Sequence, residues 1–265
     1  MIILGIDTSQ AASVALVDTD SGEVLAAEQA DDQRRHVEFI GPALERVLAH
    51  PAAPDLVVTG TGPGPFTGLR VGIAAGIAVG LARGIPVHGL HSQAAIAEEF
   101  RRLTTRPDAD GTGTDDTDAV GTVADGSTGA GAEDVAASDI AGGEPGLVLI
   151  AGDARRKEVY ASVYSPAADL VAGPLVAKPA DLAAELAAHG VDDGAISERL
   201  GRGFALYSEL LGSSTRPDIV DPRAEYLAFA VARDLAAGRE LGEPVPEYLR
   251  EPDAAATPVR QSTLK

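Results

Sequence analysis

The sequence predicts an α/β protein built from two similar halves, each a mixed sheet with helices against it. Three observations carry this. Each half opens with three short apolar runs broken by turn residues, and the first run of each ends in an aspartate, Asp7 and Asp153. Behind the opening strands of the first half, helical and strand patterns alternate, giving β-β-β-α-β-α-β-α. Between the halves, residues 107–146 carry no core-forming pattern.

The elements follow in order. Ile2 to Ile6 is an apolar strand ending at Asp7-Thr8-Ser9, Ser13 to Val17 is the second strand, and Glu23 to Ala27 the third after the turn Asp18 to Gly22. Residues 36–49 have helical spacing, with Val37, Ile40, Leu44, Val47 and Leu48 forming a stripe. Leu56-Val57-Val58 reads as a buried strand, Ile85 to Gly89 as the next, and Ser92 as the cap of a helix running to about Leu103. In the second half, strands are expected at 147–153, 158–164 and 170–176, a helix from Pro179 or Ala180 to Ala188, a strand within 199–204 and a helix from Ala224 to Ala237. The domain limits expected are 1–104, an insertion at 105–146, a second domain at 147–241, and an extended tail rich in proline and charge at 242–265.

Between the strand at 56–58 and the one at 85–89 lies Gly60-Thr61-Gly62-Pro63-Gly64-Pro65-Phe66-Thr67-Gly68-Leu69-Arg70-Val71-Gly72, opening a helix for which Thr67 is a candidate N-cap. Val71 to Ala82 has no polar side chain, and Gly68, Gly72, Gly76, Gly80 and Gly84 recur every four residues. Interior glycines cost a helix about 1 kcal/mol each relative to alanine, so a close backbone approach along that ridge must offset them. Leu69, Ile73, Ile77 and Leu81 occupy the opposite row. A helix apolar all round is expected to be buried on every side, and this one looks too short to span a bilayer. Two readings stand: a helix packed within its own domain, or one whose ridge meets a second subunit. The loop before it lacks the Lys-Ser/Thr of a P-loop and misses the dinucleotide spacing by one residue.

Composition narrows the classes. The chain has 265 residues, 45% of them hydrophobic, and no cysteine, which excludes disulfides and cysteine-based metal or redox sites and fits a cytoplasmic protein. No signal peptide or membrane span is evident. The net charge is −19, and residues 107–146 hold ten acids and no Lys or Arg, so this segment reads as a disordered acidic insertion. An overall field of this sign does not bind nucleic acid. The five histidines form no His-x-x-x-His pair, so no metal site is expected, and no Gly-x-Ser-x-Gly elbow points to a hydrolase serine. Asp7-Thr8-Ser9 supplies a carboxylate and two hydroxyls at a strand end, as a phosphate or metal contact or as an ordinary turn. Asp153-Ala154-Arg155-Arg156-Lys157-Glu158 sets three cations beside an acid, to hold an anion or to form surface ion pairs worth little.

Several stretches together resemble one family. They are Ile-Leu-Gly-Ile-Asp7-Thr8-Ser9, His36-x-Glu38, Gly62-Pro63-Gly64-Pro65-Phe66-Thr67-Gly68-Leu69-Arg70-x-Gly72, Asp153-Ala154-Arg155 with Glu158-Val159-Tyr160, and Pro246-x-Tyr248-Leu249-Arg250. They resemble TsaB (YeaZ), the dimerisation subunit of the bacterial machinery for tRNA threonylcarbamoyladenosine. The resemblance covers nearly the whole chain outside 107–146, and the insertion is no family feature. Pro65 stands where many members have Ser.

The resemblance implies a duplicated actin-like (ribonuclease H-like) ATPase fold that has lost its activity. It implies a non-catalytic scaffold that pairs with a TsaD-like catalytic subunit and through it with a TsaE-like ATPase, meeting tRNA only within that complex. ATP is then used by the partners, and this chain binds no cofactor or metal. A vestigial nucleotide site falls on Asp7, Thr8, Ser9 and Asp153. The partner interface falls on the first two helices, at His36, Ile40, Leu44, Gly68, Leu69, Gly72, Ile73 and Gly76, with a homodimer when the chain is alone. The alternative is an active ATP-dependent small-molecule kinase of the same fold using Asp7 and Asp153.

Overall fold

The structure, a computed structural model, describes residues 1–30, 36–105 and 146–250. The first half runs β1 (Ile2–Asp7), β2 (Ser13–Asp18), β3 (Glu23–Gln29), α1 (His36–Leu48), β4 (Leu56–Gly60), α2 (Phe66–Arg83), β5 (Val87–Leu90) and α3 (Gln93–Thr105). The second runs β6 (Leu147–Asp153), β7 (Val159–Tyr164), β8 (Leu170–Ala177), α4 (Leu182–Ala188), β9 (Ile196–Leu200), α5 (Arg202–Leu206), α6 (Ser208–Leu211) and α7 (Ala224–Ala236), with 3-10 turns before α4 and β9. The acidic insertion lies outside the described residues, apart from Thr105 and Gly146 at its edges.

The sheets repeat one plan. The first has the order β3-β2-β1-β4-β5 and the second β8-β7-β6-β9. In each, an antiparallel meander is extended by a parallel strand beside its first member, β4 on β1 and β9 on β6. The registers also match: Asp7 pairs with Ser13 and Asp153 with Val159 as the last pair of each central hairpin. This is the duplicated actin-like, ribonuclease H-like arrangement, and it sets both aspartates at equivalent strand ends.

The packing does not respect the midpoint of the chain. The helix α7 belongs to the second half, yet its Ala224, Leu227, Ala228 and Val231 pack with Ile3, Ala15, Val17 and Val58 of the first sheet. Reciprocally, Ala94, Ile96 and Ala97 of α3 pack with Val148, Ile150, Tyr164 and Leu200 of the second. Each half lends the other a helix, and α3 and α7 lie against each other between the sheets. The expected boundary at 241 therefore follows the sequence but not the core.

The glycine row faces its own sheet. A Cβ on Gly68 would lie 2.8 Å from the Thr8 carbonyl oxygen, one on Gly76 2.3 Å from Thr59 Cγ2, and one on Gly80 2.1 Å from Val87 Cγ2. The row thus walks from the end of β1 across β4 to β5. Every fourth residue advances about 40° around a helix. On the neighbouring row that drift carries Leu69 and Ile73, 0% and 5% exposed, out to Ile77 and Leu81 at 37% and 80%. The expectation of burial on every side therefore fails for the outer face. By length and mean hydropathy, 1.3 over 18 residues, α2 is also long and apolar enough to cross a membrane, against the sequence reading. Its glycine face is nevertheless packed on the sheet, as in a core helix.

Three local expectations are also corrected. Pro65 takes the N-cap position of α2, with no side-chain cap bond, and Thr67 is an exposed first-turn residue. The Ser92 hydroxyl accepts from the Gly62 amide at 3.1 Å, tying the glycine loop to the start of α3 instead of capping that helix. The strand expected within 199–204 is β9 and ends at Leu200, because Gly201 turns the chain at φ 99° and Phe204 packs from α5 into the second core.

Gly76→Leu should overpack the contact with Thr59 and cost about 1–3 kcal/mol. Thermal melting is expected to show a midpoint several degrees below the parent's; an unchanged midpoint would mean that the ridge has slack.

Candidate functional site

The β1–β2 loop is built inward. The Asp7 carboxylate is 0% exposed, with Oδ1 accepting from the Ser9 amide at 2.8 Å and the Ser9 hydroxyl at 2.7 Å. Gly60 lies directly against the other oxygen, Oδ2, where a Cβ would collide. Burial pushes the Asp7 pKa up, while the hydroxyls of Ser92 and Ser9 pull the other way. Thr8 is wedged into α2: its hydroxyl donates to the Gly68 carbonyl at 2.7 Å and accepts from the Gly72 amide at 3.1 Å. Those are the two groups that an undisturbed helix pairs with each other. A Cβ on Gly72 would lie 2.4 Å from that hydroxyl, so the wedge requires glycine there.

Across the cleft, Asp153 Oδ1 accepts from the Arg155 amide at 2.8 Å, and Oδ2 pairs with the Arg155 guanidinium at 3.0 Å. Gln10 Nε2 reaches the Asp153 carbonyl at 3.2 Å, so the two aspartate loops meet. Arg155, Arg156 and Lys157 all have left-handed backbone, φ 59°, 53° and 62°. For residues with a Cβ this costs about 1–2 kcal/mol each. Strain of this kind concentrates at functional sites.

The segment read as an extended tail is a strap over this cleft as far as Arg250. Gly242 bridges Gly89, and the Glu247 amide donates to the Thr61 carbonyl at 2.8 Å. Tyr248 stacks on Phe66 with centroids 4.5 Å apart, and Arg70 lies 3.6 Å over the Phe66 ring while its Nε donates to the Tyr248 hydroxyl at 2.9 Å. Arg250 pairs with Glu158 and donates to the Ala154 carbonyl at 2.9 Å. Between strap, glycine loop and strained turn lies a pocket of about 260 Å³.

Comparison with known proteins gives this geometry a family. The TsaD family model, described as tRNA N6-adenosine threonylcarbamoyltransferase, matches residues 23–109. YeaZ from Pseudomonas aeruginosa superposes with a TM-score of 0.62 at 25% identity, covering 94% of this chain and 99% of that one. Together these two matches support assignment of the chain to the TsaB/YeaZ family. An uncharacterized protein of Mycobacterium leprae is 34% identical over 188 residues, 68% of this chain and 40% of that protein. One of Mycobacterium tuberculosis is 38% identical over 99 residues, 36% of this chain and 47% of that protein. The chain thus spans less than half the length of these mycobacterial relatives.

Against the TsaB/YeaZ pattern, the expected site residues divide. Of the nucleotide set, Asp7, Thr8 and Ser9 are sealed inside the first domain and engaged there, and only Asp153 borders the pocket. Among the described residues no group of His, Cys, Asp or Glu is placed to hold a metal ion. Of the interface set, Gly68, Gly72 and Gly76 lie against Thr59 of the domain's own first sheet and Thr8 at its end, Leu69 is buried beside the glycine loop, Ile73 is buried too, and Ile40 sits in the core beneath α1. His36 is buried too, its Nε2 2.7 Å from the Gln10 carbonyl oxygen, and Leu44 is half-buried. The exposed apolar and small residues of the two helices include Val37, 71% exposed, Gly41, Ala74, Ile77, Ala78 and Leu81, among exposed charges such as Glu45, Arg46, Arg70 and Arg83. Of these the sequence reading had singled out Val37, Ile77 and Leu81 only as members of apolar rows.

Thr8→Val keeps the shape and removes the bridge to Gly68 and Gly72; denaturant unfolding should show a loss of about 1–2 kcal/mol. Asp7→Asn tests the buried charge. A folded pKa above the unfolded value near 3.8 means that the folded state holds the proton more tightly. The associated stability is full below the unfolded value and is lost as pH rises through the folded one. The asparagine variant should therefore gain in melting temperature relative to the parent as pH rises above the unfolded value near 3.8; a parallel pair of curves would refute the account.

Proposed function

We propose that the chain serves tRNA modification as a non-catalytic scaffold subunit that pairs with a TsaD-like catalytic subunit. Through that subunit it joins a TsaE-like ATPase and meets the tRNA whose adenosine receives the threonylcarbamoyl group. The observation that carries the reading is the exposure of large apolar side chains on both helices: Val37 near the start of α1, and Ile77 and Leu81 along α2, stand out from helices whose other sides are buried in the domain. Exposed apolar side chains of this kind are what a partner subunit covers. The same side chains offer a second copy of the chain a place to dock when the partner is missing. The match to the TsaD model over residues that include both helices adds support, since related helices suit a pseudo-symmetric pairing.

The rival reading is an ATP-dependent kinase using Asp7 and Asp153. In its favour stand two aspartates at equivalent strand ends. Against it, Asp7 is fully buried with its charged form disfavoured, which ill suits a carboxylate meant to bind a nucleotide's metal.

Leu81→Asp, and separately Val37→Asp, should lower affinity for a TsaD-type subunit at least about tenfold, roughly 1.4 kcal/mol. Both sites are exposed, so melting temperatures should stay near the parent's. Binding titrations beside melting curves decide it: unchanged affinity for both variants would overturn the interface. The isolated chain should also release no phosphate from ATP with magnesium; steady turnover abolished by Asp7→Ala would favour the kinase.

A further inference from the structure

The exchanged helices α3 and α7 meet between the sheets, and part of their meeting surface is charged. Glu98 and Glu99, neighbours on α3, are 0% and 5% exposed. Their supply of cations is opposite. Glu98 has two guanidiniums, that of Arg101 at 2.6 Å and that of Arg233 on α7 at 3.4 Å. Glu99 has a share in one. Arg223, just before α7, reaches it at 3.2 Å and also pairs with Glu225, itself 6% exposed. Two buried carboxylates thus draw on a single guanidinium.

The groups packed around them do not redress the balance. On α7, Tyr226 follows Glu225 and lies beneath Arg223, 5.3 Å from its ring centroid. In the loop before α7, Asp218 adds a further negative charge, and Arg216, the cation beside it, is engaged by that carboxylate at 2.7 Å. On α3 itself, Arg101 serves Glu98, and Arg102 lies 3.7 Å over the Phe229 ring. Like charges buried this close favour a proton on one of them.

We propose that Glu99 is a proton-operated latch between the two halves of the chain. Neutral, it still accepts a hydrogen bond from Arg223 and leaves the charge of that guanidinium to Glu225, so that α3 closes on α7. Ionised, it sets a second buried negative charge at the junction and weakens it. The proton has leverage there because each of these helices covers the other half's sheet. Burial pushes the Glu99 pKa up to about 7; Arg223 opposes the shift, and Glu225 and Asp218 add to it. A folded value above the unfolded one near 4.5 makes the contribution full below that unfolded value. It is lost as pH rises through about 7. The latch concerns the isolated chain and does not depend on the partner reading.

The test uses the full chain and Glu99→Gln, a neutral side chain of the same shape. Melting temperatures are followed from about pH 5 to about pH 8, with amide hydrogen exchange in α3 and α7 compared between the two proteins at each end. The variant should gain on the parent in melting temperature as pH rises. At the upper end the α3 and α7 amides of the parent should exchange at least about tenfold faster than the variant's, and at the lower end the two should nearly agree. Parallel melting curves, or an exchange difference that spares α3 and α7, would overturn the latch. Carbon-13 NMR of the parent's glutamate carboxyls gives an answer that does not rely on the variant folding. A Glu99 midpoint near 7 is expected, and a midpoint near 4.5 would overturn the proposal.

Discussion

The hydroxyl of Thr8, held between the Gly68 carbonyl and the Gly72 amide, is the contact on which the first domain turns. It couples the end of the central strand to the first turn of α2. It works only because glycine at 72 lets an oxygen come where a Cβ would stand. Once α2 is pinned there, its glycine row runs over β4 and β5, and its outer row is delivered to the surface. The same contact closes the β1–β2 loop over Asp7. One hydrogen-bonded wedge thus sets the helix, helps to bury the strand-end carboxylate and fixes which side of α2 faces out.

Much of the architecture was legible because it is written in short-range patterns. The three-strand openings of both halves, with Asp7 and Asp153 closing their first strands, follow from alternation and turn residues, and the sheets repeat as the sequence suggests. The glycine row was legible as a place of close approach, but periodicity carries no direction, and the ridge meets the domain's own sheet, not a partner. Thr67 is a good capping residue in isolation, yet Pro65 sets the extended backbone that starts the helix one residue before it. The exchange of α3 and α7 left no local signal, because both are ordinary amphipathic helices whose partners lie far away in the chain. The strap from Gly242 to Arg250 looked extended because most of its bonds, such as those of Gly242 to Gly89 and of Glu247 to Thr61, are to distant segments.

The two halves repeat one architecture with their strand-end aspartates in different states. Asp7 is inward and sealed, whereas Asp153 is at the edge of a pocket and engaged by an arginine. Around that pocket, cationic and aromatic side chains are contributed by the turn after β6 and the strap. The α1–α2 face looks outward from the same domain. A binding event at the pocket and one on the helix face would thus both act through α2, whose first turn borders one and whose outer row forms part of the other.

The helix exchange has a consequence for how the chain is made. The Ser13 hydroxyl accepts from the Ala224 amide at 2.9 Å, a contact between residues 211 apart. The face of the first sheet that carries Ile3, Val17 and Val58 stays bare until α7 is available to cover it. Contacts closed over so long a loop form late. A nascent chain halted after the first half therefore holds a sheet with one naked apolar side, the kind of surface that attracts chaperones or aggregates. Although the two halves look like separable modules, the first sheet is covered on both faces only once α7 has been made.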